Sequence, residues 1–383
     1  MAPARTSATS ATNANSSAPA DDNLAKRGRQ LARLHNMWPN GDVILLGKQM
    51  QAMSDDALYT FRQGANEKKL RLITLVETLT ELEPTLFERL NRPGPHAASA
   101  ARDAKSRLNI GVSNGRSEDA RKARDMVDKW DNFLPPLGDK STRGLSHLTC
   151  ARHLVPPTLN IDDEQVATQL MVHGIPALTA SLWPGFLWAA GRFNVAHPHD
   201  GLLEGELLFS CGNAVLFSPL SSIPSALWTG GARGHTKKRR GPTGVAKSYQ
   251  MTEVTTGFIP YIACVTRHAL TSDEVFSEVC GAFSYVDFYW QIRSFLEDPK
   301  FAGWTRGLLD RWNEKLFSGI EFYQSTASAP EVGGTLAMLN AELEAGQITP
   351  QVVGLGTTAP TNETEGQEQG AAGAEGETGW ETI

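Results

Sequence analysis

Lys237, Lys238, Arg239 and Arg240 stand together in the chain, and their types and spacing are its sharpest chemical signal. They lie in a Gly-rich stretch from Gly230 to Pro242, and no acidic residue occurs between Glu206 and Glu253. Such a cluster can neutralise phosphates, each neutralised phosphate releasing counterions and adding salt-dependent affinity. It would serve equally as a nuclear-import signal, which needs an exposed basic tetrad, or as a solvated surface loop. Base stacking would need aromatic side chains within the loop, and Trp228 alone lies near.

The next segment overlaps the first. Residues 241–248 approach the phosphate-binding pattern GxxxxGK[ST], with Gly241, Gly244, Lys247 and Ser248 in register. In such a loop successive amides cradle phosphates, the lysine reaches the outer phosphates, and the hydroxyl holds magnesium. Ala246 stands where that pattern has glycine, and a Cβ there obstructs close approach of the backbone to a nucleotide. The segment follows a basic run rather than a buried strand, and no βαβ pattern surrounds it. A nucleotide-binding protein or enzyme built on these residues is the alternative reading, and chance resemblance the blander one.

Histidines supply a third set. His147, Cys150 and His153 are spaced by three, and His197 and His199 follow some forty residues on. Zinc accepts imidazole and thiolate in a tetrahedral shell, so the two segments could form a site if they met. Neither carries a CxxC or HxxxH pair, and polar loop histidines are commonly solvated or hydrogen-bonded. Tyr285, Asp287, Tyr289 and Trp290 fit the rim of a packed helix, with a peptide groove as the sharper alternative. No nucleophile elbow, Cys-His signature or paired-carboxylate motif is recognisable. The chain reads as a non-enzymatic interaction module rather than an enzyme, and no cofactor is implied.

The elements that must position these residues are helices. The composition, 40% hydrophobic and 20% charged, is that of a globular protein, and the formal net charge of −6 argues against a surface coated by nucleic acid. Four scattered cysteines without a signal sequence point to reduced thiols in an intracellular protein. The most apolar stretch, Ile175 to Ala190, contains Pro176 and Pro184, is too short to span a bilayer, and reads as core; no membrane partner is expected. Residues 1–22 and a Glu-rich, base-free tail over 324–383, most clearly from 346, cannot offset their ordering entropy and are expected to be disordered.

Between these arms, Leu72, Leu75, Val76, Leu79 and Leu82 mark a helix face. Pro84 suits the first turn of a short helix after it. Ser117-Glu118-Asp119 has the residue types of a helix start, carrying Ala120, Ala123, Met126, Val127 and Trp130 inward. Residues 134–160, with four prolines, read as a loop, and Asp162-Asp163-Glu164 opens a short helix. Leu202 to Phe217 reads as a buried helix. Thr255 or Thr256 starts a helix through Ile259, Ile262, Ala263, Thr266 and Leu270. Ser272-Asp273-Glu274 would start the next, burying Val275, Phe276, Val279, Phe283 and Val286. A last helix presents Trp304, Leu308, Leu309, Trp312, Leu316 and Phe317.

The segments Asn114–Asp119, Arg143–His147, Met251–Thr255, Phe288-Tyr289 before Phe295–Asp298, and Trp312-Asn313 before Phe317 recur here in one order. In that order they resemble a basidiomycete fungal family catalogued as domain of unknown function number 6698, collinear from about Leu72 to Tyr323. Residues 149–156 and the proline of Gly257-Phe-Ile-Pro260 depart from its pattern. The resemblance implies a helical domain and carries no activity. The expected fold is therefore all-α, an irregular multi-helix bundle between disordered arms. It would comprise a helical region over 23–133 and a main helical domain over 134–323 that carries the basic loop, 230–248. Its expected partners are a nucleic acid, an import receptor or a protein yet to be identified, with a nuclear location as one outcome.

Overall fold

The computed structural model describes residues 21–39, 42–224 and 244–318. Among them lie thirteen α-helices and one two-stranded sheet with two residues per strand, so the fold is all-α. Most of both expected arms, and the basic tetrad, fall outside the described residues. The first helix, α1 (Asp21–Leu34), begins within the stretch assigned to the N-terminal arm.

The pairing of one long helix with α1 organises this part of the molecule. α6 (Ala97–Met126) lies against α1 so closely that a Cβ on Gly28 would come within 2.3 Å of the Leu108 carbonyl oxygen. A Cβ on Gly111 would come within 2.0 Å of the Ala25 carbonyl oxygen. The glycines are needed because no side chain fits between the two backbones, and the proximity offsets their poor helix propensity. Ser117-Glu118-Asp119 therefore does not start a helix: it lies inside a 30-residue one. The acid at its end is taken by a buried partner instead of by free amides.

On one side, α2 (Asp42–Gln51), α3 (Asp55–Gln63), α4 (Glu67–Leu82) and α5 (Leu86–Asn91) close a cluster around Leu31, Ile44, Leu79, Phe87 and Leu108. The Asn66 side chain caps α4 by accepting from Lys69 N at 2.9 Å. Pro84 falls just before α5 rather than in its first turn.

The larger cluster surrounds α11 (Phe258–Leu270), in which every residue is buried. Thr255 Oγ1 accepts from Phe258 N at its start, as a helix-starting threonine should. α9 (Glu206–Leu216), α12 (Tyr285–Glu297) and α13 (Ala302–Phe317) pack around it with the ends of α1 and α6. Trp312 of α13 is fully buried, with its Nε1 donating to the Leu203 carbonyl at 2.9 Å.

Three expectations fail in this half. Residues 134–160 hold a helix, α7 (Leu148–Leu154), started by His147. Ile175, at 59% exposure, shows that the apolar stretch turns only partly inward, through Ala180, Phe186 and Leu187. It follows α8 (Glu164–His173), which Asp163 caps as expected and Gly174 ends at φ +63. Residues 272–284 form no helix: Val275 and Val279 are 72% and 58% exposed. The chain turns there through a hairpin of β1 (Val279–Cys280) and β2 (Phe283–Ser284) around Gly281, φ +56, and Ser284 caps α12. Phe276 goes inward to stack on His268, 4.6 Å between centroids, without a helix to carry it.

Candidate functional site

The basic segment is emitted from a fixed stem. α9 ends at Leu216, and a short 3-10 turn, Pro219–Ser222, follows. Trp130 Nε1 donates to Ser222 Oγ at 2.8 Å in a buried bond. Residues 225–243, with Lys237, Lys238, Arg239, Arg240 and Gly241, lie outside the described residues. The chain resumes at Gly244, φ +62, where an added Cβ would sit 2.5 Å from the Phe217 carbonyl oxygen. The two flanks of the segment thus return to the same end of α9.

From Gly244 the chain forms α10 (Gly244–Ser248), a helix of five residues. Ala246, read above as the defect in a phosphate loop, is fully buried, whereas Lys247 and Ser248 are exposed. One turn on, the Tyr249 hydroxyl accepts from Arg33 Nη1 at 2.8 Å. That guanidinium is also bidentate to Asp119, Nε to Oδ2 at 2.6 Å and Nη2 to Oδ1 at 2.9 Å. The Tyr261 hydroxyl donates to the same Oδ2 at 2.7 Å. α1, α6 and α11 are therefore joined by one polar network, buried at Asp119, which also reaches the residue just past α10. Burial alone would lower the Arg33 pKa, but Asp119 and the two tyrosines outweigh it and raise it. Burial, then the Asp119 charge, holds the Tyr261 hydroxyl well above its usual range.

The histidines take separate positions. His147 Nδ1 accepts from Cys150 N at 3.3 Å and its Nε2 meets the Pro135 carbonyl at 2.6 Å, so it starts α7. Cys150 is fully buried, and burial pushes its thiol up to about 11. His153 Nε2 pairs with Asp131 Oδ2 at 2.7 Å, and that bond holds the carboxyl below its usual range. The pair lines a cleft of about 670 Å³ with Phe186, Trp188 and Phe193. His197 and His199 are exposed, 6.1 Å between centroids, with His199 3.6 Å from Asp200. Among the described residues no three His, Cys, Asp or Glu side chains form a group able to hold a metal ion.

The aromatic cluster on α12 divides. Tyr285 and Tyr289 are fully buried, Asp287 is exposed, and Trp290 is half-buried with the Arg71 guanidinium 3.8 Å from its ring centroid.

The family model described as "Family of unknown function (DUF6698)" matches residues 110–317, more than half of the chain. The chain belongs to that family. No curated protein and no solved structure matches it. The DUF6698 match begins within α6 and ends on the last residue of α13. It includes Asp119, Tyr249 and Tyr261 but not their common partner Arg33, which α1 supplies from outside it. Sequence reasoning missed that joint. Its available signals were Gly111 and Gly115, four apart on one face of α6, and an acid one turn further on.

Proposed function

We propose that this DUF6698 protein is a non-enzymatic interaction module, a helical platform that presents the basic segment between Pro224 and Gly244 to a nucleic acid. The observation that carries the reading is the stem. Trp130 and Ser222 fix one flank, and Gly244 against Phe217, with Ala246 and Tyr249 behind it, fixes the other. Residues 225–243 contain Arg233, Lys237, Lys238, Arg239 and Arg240 and no acid. Binding through such a segment draws on phosphate neutralisation and is sequence-tolerant. The same tetrad suits an import receptor, which would make the protein nuclear. Burial of Ala246 favours an interaction role over nucleotide binding, because that residue packs inward instead of leaving space for phosphates.

Binding of labelled DNA and RNA, followed by anisotropy at 50 and 200 mM salt, tests the reading against a variant with Lys237, Lys238, Arg239 and Arg240 changed to Ala. Four neutralised phosphates imply affinity falling by roughly 100-fold over that salt range. The variant should lose both the binding and its salt dependence. Equal binding by the two proteins, or none by either, overturns it.

A further inference from the structure

Three arginines are buried among the described residues, and they differ in what meets their charge. Arg33, 2% exposed, is bidentate to the Asp119 carboxylate. Arg143, 8% exposed, donates Nη1 to the carbonyls of Ala269 at 2.9 Å and Arg124 at 3.2 Å. The last carbonyls of a helix lack helical partners, so capping of α11 accounts for that guanidinium. Arg267, 7% exposed, has neither kind of partner. Its Nη1 donates to the Tyr285 hydroxyl at 3.0 Å, and its Cζ lies 3.3 Å from the centroid of the Phe283 ring. Among the described residues it has no ion pair and no further hydrogen bond.

A neutral hydroxyl and an aromatic face recover only part of what a buried guanidinium loses in hydration. The group carries five N–H bonds in a rigid fork, so most of its donors are left over. Arg143 Nε is sealed in without a partner, whereas no Arg267 nitrogen is. The remaining donors of Arg267 therefore meet open space, and the residue lines a cleft of about 300 Å³.

The cleft specifies what fits it. Its walls are Leu145, Leu154, Leu170, Pro176 and Leu178, with Phe283 against the guanidinium. Apolar walls around a few placed polar groups make a small-molecule site, and this volume stands at the small end of such sites. The arginine fork matches the two oxygens of a carboxylate. Asp273, the one acid lining the cleft, forms no ion pair with the fork and adds negative charge beside it. A phosphate dianion would meet a single cation, that acid and apolar walls. A monoanion with an apolar tail finds a partner at each end.

We infer that this cleft binds a small monocarboxylic acid. Its carboxylate pairs with Arg267, and its short aliphatic or aryl tail lies against the leucines. The ligand supplies to Arg267 what Asp119 supplies to Arg33. It also ties β2 to α7 and α8, which contribute Phe283, Leu154 and Leu170 to the walls.

The test is a ligand-observed NMR titration of the full chain with hexanoate and benzoate. Hexanamide, which has the same tail as hexanoate without its charge, and inorganic phosphate run beside them. Hexanoate should bind about 10-fold or more tightly than hexanamide, because the amide cannot form the charged hydrogen bonds. Phosphate should bind more weakly than hexanoate. Two variants locate the site. Arg267→Lys keeps a charge and removes the fork, and Ala282→Phe fills the cleft from an exposed position. Each should weaken hexanoate binding by about 10-fold or more. Hexanamide binding as tightly as hexanoate, phosphate binding more tightly, or full-strength binding by either variant overturns the inference. So does failure of both carboxylates to bind at about 10 mM.

Discussion

Two clusters of buried charge touch opposite ends of α11, and they differ in how completely they are paired. Near its start, Arg33 is bidentate to Asp119, Asp119 also accepts from Tyr261, and the remaining arm of Arg33 reaches Tyr249. Near its end, Lys140 and Arg143 bond to backbone carbonyls, and Arg143 Nε and His268 Nδ1 meet no hydrogen-bond partner among the described residues. A buried charge costs several kcal/mol in lost hydration, which a well-made pair recovers and an incomplete one does not. The first cluster is thus a joint that fixes three helices and the turn after α10. In the second, burial lowers the pKa values of Lys140, Arg143 and His268, and bonds to neutral carbonyls stand where the first has a carboxylate.

The largest expected effect tests the joint. Asp119→Ala removes the bidentate partner of the buried Arg33 guanidinium and leaves it, for a carboxylate, only the longer 3.5 Å pair with the partly exposed Glu118. It should lower unfolding free energy by about 3 kcal/mol in a urea titration. Lys140→Met, at the other end, removes a partly exposed charge and should cost about 1 kcal/mol. Similar losses in the two variants would dissolve the distinction between the clusters.

The approach of α1 to α6 that makes the joint is tested separately. Gly111→Ala adds a methyl group where the Ala25 carbonyl oxygen stands 2.0 Å away. The helices must move apart, stretching the Arg33–Asp119 bonds, and the loss should be about 3 kcal/mol despite the better helix propensity of alanine. A stability equal to or above that of the unaltered protein would show the joint to be compliant.

Little of this joint was legible in the sequence, although much of the fold was. The helices through Leu72–Leu82, Ile259–Leu270 and Trp304–Phe317 follow from apolar spacing alone, because the first and last bury one face and α11 is buried all round. Residues 272–284 have the same spacing and a different outcome. Phe276 and Phe283 find places against His268 and Tyr285 from an irregular chain, leaving Val275 and Val279 in solvent. Spacing cannot distinguish the two cases when the partner surface is supplied by another element. Ser117-Glu118-Asp119 misled for a related reason: the types that cap a helix start also serve inside one when a buried arginine claims the acid. Lys140 carried no local signal, since its acceptors lie some 130 residues away along the chain.

A pH-dependent effect concerns the protonation of the incomplete cluster. Burial, helped by Lys140, Arg267, Arg124 and Arg143, pulls His268 down from 6.5 to about 3. Between those values the unfolded chain binds a proton that the folded chain does not. Stability is therefore full above about pH 6.5 and falls as the solution is acidified toward 3. His268→Phe keeps the stack on Phe276 and removes the titrating ring. Unfolding free energy measured at pH 7 and pH 4.5 should drop by about 2 kcal/mol more in the unaltered protein than in the variant. His35, lowered to about 4 by burial and the Arg293 charge, contributes the same trend to both proteins and cancels. Parallel losses would mean that His268 accepts its proton without penalty when folded. The end of α11 would then be as well satisfied as its start.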